Sequence, residues 1–439
     1  FLLHGHSQYI DVLERSLYNG LLSGVSLDGS EFFYTNPLAS YGNHHRQPWF
    51  GCACCPTNVV RFVPQVGGYF YATTEDSLWV NLYAANRATV SVAGQTVSIC
   101  QESDFPWDGH IKLTIEPTTS NNFRLCLRHP DWSSQVDLLV NGDRLRDLPA
   151  NKNGYFELAR IWQPGDTVEV NFNMSAQRIV TNPQVKSNLG KVALCRGPMI
   201  YCLEAIDNEG STRDIALPRT NQLEASFESD LLGGVTVLRG AANRRGSTEW
   251  ENQLYQTTEA DRDIQIMAIP YFAWDSRQAG QMTVWLPECS TLTEPKLRAS
   301  LASRGKPEAS HLFGFLEAVN DCILPASSSD QSIPKFTWWH KKGSREWISL
   351  TFDNSVVISE ADVYWFDDTG IGECRSPDQW WIEWDNEGEW QSVQNASEYG
   401  LRLDIFNHVT FNSVTTHRVR IVAQLQDNMS SGLLEWRLN

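Results

Sequence analysis

The sequence lacks long apolar runs, internal repeats and low-complexity segments, and it is short of positive charge. No apolar stretch approaches the ~20 residues of a membrane-spanning helix, and we find no basic start typical of a signal peptide. The 35 Lys and Arg against 52 Asp and Glu give a net charge of −17. Such a charge repels phosphate backbones and anionic lipid, so we expect no nucleic acid and no membrane as partners.

Cysteine is also scarce, at 10 in 439 residues, and its irregular spacing does not indicate a disulfide framework. Five cysteines lie in or beside apolar runs, and we interpret them as small buried side chains: Cys100, Cys126, Cys195, Cys202 and Cys289. Hydrophobic residues make up 41% and charged residues 20%. This composition predicts a globular protein, and the length suits two to four domains.

Three other cysteines are concentrated at one place, where Cys52, Cys54 and Cys55 fall within four positions before a predicted helix that begins at Pro56. Unpaired N–H groups at a helix N-terminus stabilise a thiolate. Two adjacent thiolates can ligate a metal such as zinc, but a tetrahedral site needs two further ligands, which the local sequence does not supply. Alternatively, these cysteines are small residues that fill a crowded turn.

Hydrophobic periodicity predicts a short helical region followed only by strands. Residues 8–19 have the spacing of an amphipathic helix, 31–36 are typical of an aromatic strand, and 56–63 form a second helix that ends near Pro64. Two helices cannot bury their apolar faces alone, so residues 1–67 resemble the end of a larger helical domain.

From residue 69 the pattern alternates, and Asn141-Gly142 has the composition of a hairpin turn. We predict a β-sandwich at 68–180, and a second one at 181–307 that includes a linker at 290–307. Residues 308–439 alternate again, which favours a jelly roll. The prediction is a mainly β protein.

Several motifs resemble glycoside hydrolase family 127, the bacterial β-L-arabinofuranosidases, and the allied family 146. The most specific is Phe-Gly-Cys-Ala-Cys-Cys-Pro-Thr-Asn at 50–58, and the resemblance extends to about residue 290. Shorter motifs support it at 11–14, 17–20, 26–29, 33–36, 195–198 and 268–271. Residues 333–339 and 363–368 resemble a discoidin-type jelly roll.

The resemblance implies an (α/α)6 barrel that carries the active site, of which residues 1–67 would be the C-terminal part. By position, Cys54 matches the thiolate nucleophile and a zinc ligand, and Cys55 matches a second zinc ligand. Glu14 and Tyr34 match residues that line the sugar subsite, whereas Cys52 matches a cysteine that is not a ligand.

The family's remaining zinc ligands, a Glu and a Cys, and its acid/base Glu precede the helix at 8–19, and no Glu-x-Cys precedes Gln8. The resemblance therefore implies an incomplete zinc site and an incomplete enzyme. We expect this chain to be inactive alone unless another chain completes the barrel.

The predicted function is a retaining glycosidase with a zinc-bound cysteine nucleophile that acts on β-L-arabinofuranosides of plant oligosaccharides, glycoproteins or pectin. An alternative substrate is another pectic sugar, such as an acid sugar. The family's plant-glycan substrates favour a bacterial periplasmic or extracellular location, with the cytoplasm as an alternative.

Other interpretations belong to different classes of protein. One is a non-catalytic carbohydrate-binding protein, in which exposed tryptophans stack on sugars: Trp338, Trp339, Trp380 and Trp381. A cysteine-based redox or structural-zinc protein is another, and His44 and His45 could then join the metal site. Asp367 and Asp368 are compatible with a calcium or sugar site, and equally with a turn before Gly370.

Overall fold

The computed structural model describes residues 1–42, 44–52, 54–146, 150–246, 255, 257, 259–293 and 299–439. These residues form two compact units. Unit 1 comprises Phe1–Arg244 and Arg262–Thr293, and unit 2 comprises Arg245–Asp261 and Glu294–Asn439. Within the described ranges, no helix is long and apolar enough to cross a membrane. The domain boundaries drawn from the sequence stay predictions.

Regular helices occur in the first 70 residues. Helix α1 (Gln8–Ser16) continues into a π-helical turn at Leu17–Leu21 and a 3₁₀ turn at Leu22–Gly24. Helix α2 (Cys54–Phe62) continues into a 3₁₀ segment at Val63–Tyr69. The predicted helices are therefore present. However, α2 begins at Cys54 rather than at Pro56. Pro56 therefore lies in the first turn, where its missing N–H costs no hydrogen bond because the first N–H groups of a helix have no intrahelical partner.

The other 3₁₀ turns are Lys186–Asn188, Ala205–Asp207, Tyr271–Ala273, Ser290–Leu292, Leu301–Arg304 and Leu316–Val319. The strands of unit 1 are β1 (Ala39–Ser40), β2 (Tyr71–Thr73), β3 (Ser77–Val80), β4 (Asn86–Val92), β5 (Gln95–Ser103), β6 (His110–Pro117), β7 (Asn121–Arg128), β8 (Val136–Val140), β9 (Asp143–Leu145), β10 (Tyr155–Trp162), β11 (Asp166–Phe172), β12 (Ala176–Ile179), β13 (Lys191–Arg196), β14 (Met199–Glu204), β15 (Ile215–Ala216), β16 (Leu223–Glu228), β17 (Val235–Arg244), β18 (Arg262–Pro270), β19 (Met282–Thr283) and β20 (Leu286–Pro287).

The strands of unit 2 are β21 (Lys306–Ala309), β22 (Phe313–Gly314), β23 (Phe336–Thr337), β24 (Arg345–Phe366), β25 (Gln379–Asn386), β26 (Glu389–Ser392), β27 (Asn407–Gln424) and β28 (Gly432–Leu438). The described part of the chain is thus mostly β, as predicted.

Residues 71–172 form two sheets that share one hydrophobic core. A four-stranded sheet has the order β10-β7-β3-β2, and a six-stranded sheet has the order β4-β5-β6-β11-β8-β9. Leu78 and Leu125 of the first sheet and Ile99 and Ile111 of the second belong to the same buried cluster. Because alternate residues of each strand point into this core, the arrangement agrees with the predicted β-sandwich.

The hairpin between β8 and β9 has the predicted turn. Asn141 and Gly142 have φ values of 53° and 86°, and Val140 pairs with Asp143 across the turn. Positive φ at both central positions is the backbone of a type I′ turn, which Asn and Gly adopt with little strain.

A ten-stranded sheet forms the rest of unit 1. Its main path is β1-β19-β14-β18-β17-β15, and β12, β13, β16 and β20 pair beside it. The pairing of Ala39 with Thr283 and of Ser40 with Met282 joins the N-terminal segment to this sheet. This long-range pairing was not predicted.

Unit 2 contains an eight-stranded sheet around a core of its own. The alternation pattern predicts separate short strands at 346–352, 356–358 and 361–365, but the structure joins them in β24, whose register with β27 shifts between Thr351 and Val356. A β-bulge lets one strand bend and continue, so a break in the alternation pattern does not always end a strand. The discoidin-like jelly roll stays a prediction.

Two local predictions differ from the structure. The aromatic segment 31–36 is not a strand, because Phe32 makes isolated bridges to Val25 and Gln47. The alternating residues 281–286 predict one strand, but the structure has two short strands there, β19 and β20. The linker at 290–307 stays a prediction; its described residues include two 3₁₀ turns, and 294–298 lie outside the described residues.

Candidate active site

The three clustered cysteines lie at the start of α2. Cys54 is the first residue of the helix and Cys55 the second, while Cys52 precedes the helix. The backbone oxygen of Cys54 accepts hydrogen bonds from Thr57 Oγ1 at 2.7 Å and Asn58 Nδ2 at 3.2 Å. The side chains of Cys52 and Cys54 are exposed and that of Cys55 is half-buried, so the sulfurs are accessible to a ligand.

The positions of two sulfurs match two of the four ligand positions of a shared metal ion. Cys54 Sγ lies 3.7 Å from Cys55 Sγ. Two thiolates on a tetrahedral zinc, with Zn–S bonds of about 2.3 Å, are roughly 3.8 Å apart. The pair therefore fits two corners of a zinc site. Among the described residues, no group of three or more His, Cys, Asp or Glu is arranged to hold a metal ion, so these residues do not supply the other corners.

Tyr34 lies beside the cysteines. Its backbone oxygen is 3.6 Å from Cys55 Sγ, and negative charge on Cys52, Cys54 and Cys55 raises the pKa of its phenol. A cavity of about 260 Å³ adjoins this place and is lined mainly by apolar groups together with Tyr34, Cys55, Asn36 and Asn58. This volume is slightly below the roughly 300 Å³ at which small-molecule pockets begin. The structure thus brings Tyr34 together with the cysteines and a cavity.

Glu14 belongs to a different set of contacts. Its side chain is 1% exposed, and its two carboxylate oxygens accept hydrogen bonds from Arg128 Nη2 at 2.5 Å and Trp132 Nε1 at 2.9 Å. Asp11, one helical turn earlier, accepts a hydrogen bond from Arg128 Nη1 at 2.5 Å. Both oxygens of Glu14 are therefore engaged in attaching α1 to the sandwich. Its assignment to a sugar subsite stays a prediction.

The two histidines proposed as additional ligands are engaged by nearby loops. His45 contacts Asp275 Oδ1 through Nδ1 at 2.7 Å and the oxygen of Gly42 through Nε2 at 3.0 Å. His44 contacts the oxygen of Thr35 through Nε2 at 3.0 Å, and burial lowers its pKa. In this conformation both ring nitrogens of His45 face protein oxygens, which is unfavourable for metal ligation.

The tryptophan pairs of unit 2 divide between core and surface. Trp338 is 0% exposed and Trp380 is 3% exposed, so neither can stack on a sugar. Trp339 and Trp381 are half-buried. Only one member of each pair is therefore available for a binding surface. For Trp380 and Trp381 this follows from the alternation of β25, whereas Trp338 and Trp339 lie beyond the end of β23.

The carboxylates of Asp367 and Asp368 accept hydrogen bonds from nearby backbone groups. Asp367 accepts a hydrogen bond from the backbone N–H of Thr369, and Asp368 accepts one from that of Cys374. The backbone oxygen of Asp368 also accepts hydrogen bonds from Ile371 and Gly372. These contacts are those of a turn, which favours that interpretation of the acidic pair over a binding site.

The sequence interpretation missed Arg128 and set Cys52 aside. Arg128 ends β7 directly after the apolar run Leu125–Leu127, and the i, i+3 spacing of Asp11 and Glu14 on one face of α1 was the available signal for a buried cation. The one-residue spacing between Cys52 and Cys54 was the signal for a close sulfur pair, which the structure places 3.5 Å apart.

Three family profiles match the chain in succession. They describe the β-L-arabinofuranosidase GH127 catalytic domain at residues 1–68, the GH127 middle domain at 77–174 and the glycoside hydrolase family 127 C-terminal domain at 176–287. The non-reducing end β-L-arabinofuranosidase of Bifidobacterium longum subsp. longum is 33% identical over 308 residues, which are 64% of this chain and 46% of that protein.

Solved structures give the same result. A GH127 β-L-arabinofuranosidase from Geobacillus stearothermophilus T6 is 42% identical with a TM-score of 0.62, over 65% of this chain and 47% of that one. A second GH127 β-arabinofuranosidase is 39% identical with a TM-score of 0.62, over 67% and 48%. The chain spans about half the length of these relatives. Over residues 1–287, this chain therefore belongs to glycoside hydrolase family 127.

Proposed function

We propose that this chain contributes the nucleophile to a retaining β-L-arabinofuranosidase, and that the nucleophile is Cys54. The observation that carries the proposal is the position of Cys54, whose exposed sulfur lies at the first residue of α2 within the segment that matches the catalytic-domain profile. The names of the relatives supply the activity and the sugar. β-L-Arabinofuranosides of plant glycans are the proposed substrates.

The proposed chemistry is a double displacement at the anomeric carbon. The thiolate of Cys54 attacks this carbon, a C–S bond forms, and the bond to the leaving oxygen breaks as that oxygen takes a proton from a carboxylic acid. Water, deprotonated by the same group, then attacks the anomeric carbon and releases Cys54. We assign this acid to the part of the family's length that this chain does not span.

The described residues around Cys54 have supporting roles. Thr57 and Asn58 hold the backbone of Cys54 through its carbonyl oxygen, which fixes the first helical turn that carries the side chain. Tyr34 borders the cavity beside Cys55 and is placed to contact a bound sugar. We retain Glu14 as a candidate subsite residue, although its contacts with Arg128 and Trp132 would first have to open.

Zinc is the proposed cofactor, with Cys54 and Cys55 as two of its ligands. When bound, zinc would keep the Cys54 sulfur ionised at neutral pH. The 3.7 Å sulfur separation supports this pairing. In an enzyme of full family length that contains this sequence, we expect about one zinc per chain, and loss of that zinc when both cysteines are changed to Ser. Equal zinc content in the two proteins would exclude this assignment.

The nucleophile is tested by Cys54→Ser in the same full-length enzyme. We expect turnover of an aryl β-L-arabinofuranoside to fall by roughly 10³-fold or more, as for other catalytic nucleophiles. Cys289→Ser is the matched control, because Cys289 is also exposed but lies outside the cysteine cluster, and its activity should be unchanged. Retention of wild-type turnover by Cys54→Ser would contradict the proposal.

A further inference from the structure

We propose that Cys52 and Cys54 are a redox-modification site, at which a hydroperoxide converts the two thiols into a reversible disulfide. The bond itself depends only on the geometry of the two cysteines. Its effect on catalysis rests on the proposed function of Cys54, because a sulfur held in a disulfide cannot attack a sugar or ligate zinc.

The geometry brings the two sulfurs close to bonding distance. Cys52 Sγ lies 3.5 Å from Cys54 Sγ, and both side chains are exposed. An S–S bond is about 2.05 Å long, so the sulfurs must approach by about 1.5 Å. Cys52 precedes α2, and the backbone N–H of Cys54 has no intrahelical partner. The approach therefore does not require a helical hydrogen bond to break.

Cys55 is an unsuitable partner for Cys54 although its sulfur is only 3.7 Å away. Consecutive Cα atoms are about 3.8 Å apart, whereas disulfides usually join Cα atoms at 4.4–6.8 Å. A bond between adjacent cysteines inside the first turn of α2 would distort the helix. Cys52 is separated by one residue and lies outside the helix, so it is the preferred partner.

The other cysteines are poorly placed to compete. Cys126, Cys195, Cys202 and Cys374 are buried, and burial raises the pKa of Cys126 to about 12 and that of Cys195 to about 11. A thiol that stays protonated reacts slowly with oxidants. Cys289 is exposed, and its sulfur contacts Thr291 Oγ1 at 3.1 Å. Oxidation at low peroxide should therefore favour the clustered pair.

The chemistry balances in two steps. A hydroperoxide oxidises the Cys54 thiol to a sulfenic acid and is itself reduced to an alcohol, or to water when it is hydrogen peroxide. The Cys52 thiol then attacks the sulfenic sulfur, the S–S bond forms, and water leaves. A dithiol reverses the product by exchange and is oxidised to its own disulfide. Because capture by Cys52 precedes further oxidation, the nucleophile is protected from irreversible loss.

The test uses this chain, reduced and then freed of reductant. It is treated with hydrogen peroxide at a small molar excess, and the remaining thiols are alkylated before mass spectrometry. Trypsin releases residues 47–61, which contain Cys52, Cys54 and Cys55. We expect this peptide to lose two hydrogen atoms, to carry a single alkyl group on Cys55, and to regain three alkylation sites after treatment with a dithiol.

Three variants make the test specific. Cys289→Ser should form the bond as the wild type does, whereas Cys52→Ser and Cys54→Ser should not. A wild-type peptide that shows only sulfinic or sulfonic acid, or alkylation of Cys52 with a Cys54–Cys55 bond, would overturn the proposal.

The result is separable from the proposed function. If the bond forms but Cys54→Ser keeps full turnover in the full-length enzyme, the redox site stands and the nucleophile assignment fails. If turnover is lost in Cys54→Ser but no bond forms, the nucleophile assignment stands and the redox site fails.

Discussion

Arg128 is the residue on which the attachment of α1 to the sandwich depends. Its side chain is fully buried and donates to Asp11, to Glu14 and, through Nε at 2.6 Å, to the backbone oxygen of Asn81. Burial raises the pKa of Asp11, although Arg128 acts in the opposite direction. Two buried carboxylates thus share one buried counter-ion.

Arg128→Met should lower the free energy of unfolding of unit 1 by about 3–5 kcal/mol, because it leaves two buried carboxylates without a counter-ion. Arg144→Met is the control, since Arg144 and Asp137 form an ion pair that is largely exposed, and its effect should be about 0.5 kcal/mol or less. Urea unfolding of the two variants measures the difference. Equal effects would show that the buried network contributes little.

Individual elements were predictable where one periodicity dominates. Helix α1 and the strands of the sandwich follow from apolar spacing, because each buries one face against a core. The sequence did not reveal β1, because two residues carry no periodic pattern and pair only with a strand far along the chain. The contact of Arg128 with Asp11 and Glu14 could not be predicted either, because it joins elements that are remote in sequence.

Of the candidate site, the family resemblance assigned Cys54, Cys55 and Tyr34 to one active site, and the structure has the Tyr34 backbone oxygen 3.6 Å from Cys55 Sγ, while the roles of these residues stay predictions. The distance between Cys52 and Cys54 depends on side-chain rotamers at the start of α2, which no spacing rule specifies. The carboxylate of Glu14 could be read as exposed on an amphipathic helix. Only the tertiary contact with Trp132 shows that it is buried.

Strand β25 offers a direct test of side-chain alternation. Trp380 packs edge-on to Trp365 and Tyr399 and donates a hydrogen bond to Gly400 at 2.8 Å. Trp380→Ala should therefore destabilise unit 2 by about 3–5 kcal/mol. Its neighbour Trp381 lies on the opposite face beneath Arg345, and Trp381→Ala should cost about 1 kcal/mol. Thermal unfolding of the two variants would contradict this if their midpoints fell equally.

Gly109, directly before β6, lies close to the last residue of β11. A Cβ at this position would collide with the backbone oxygen of Phe172 and would lie 3.3 Å from Met174 Cγ. Gly109→Ala should therefore destabilise unit 1 by about 1–3 kcal/mol. Gly68→Ala is the control, since its Cβ would meet nothing within 4 Å. A denaturation midpoint that is the same in both variants would argue against the clash.

For the molecule as a whole, the two units differ in how they hold buried charge. Unit 1 pairs buried carboxylates with arginines, as Arg128 does with Asp11 and Glu14 and Arg277 does with Glu204, whereas unit 2 contains Asp321 and Glu435 next to each other. Glu435 is 0% exposed, and its Oε2 accepts a hydrogen bond from the backbone of Cys322 at 3.2 Å. Burial raises the pKa of Asp321 to about 7 and that of Glu435 well above its usual value. Arg437 opposes the shift at Glu435 only in part.

The stability of unit 2 should therefore fall as the pH rises from 5 to 8. In this range the folded state binds more protons than the unfolded state, whose carboxyl groups have lost theirs, so the free energy of unfolding decreases with pH. Glu435→Gln should remove the part of this dependence that Glu435 contributes and raise the unfolding temperature at pH 8, while the part due to the burial of Asp321 remains. Calorimetry at several pH values measures the unfolding temperature of the wild type and the variant. An unchanged slope of unfolding temperature against pH in the variant would refute the assignment of the pH dependence to Glu435.

The pairing of β1 with β19 has a consequence for the order in which the chain acquires its structure. Synthesis proceeds from the N-terminus, so Ala39 and Ser40 have no strand to pair with until Met282 and Thr283 have left the ribosome. At roughly 5–20 residues per second, this delay is on the order of 10–50 s. During that time the segment between α1 and α2 lacks this strand partner, so its docking onto the ten-stranded sheet occurs late in synthesis.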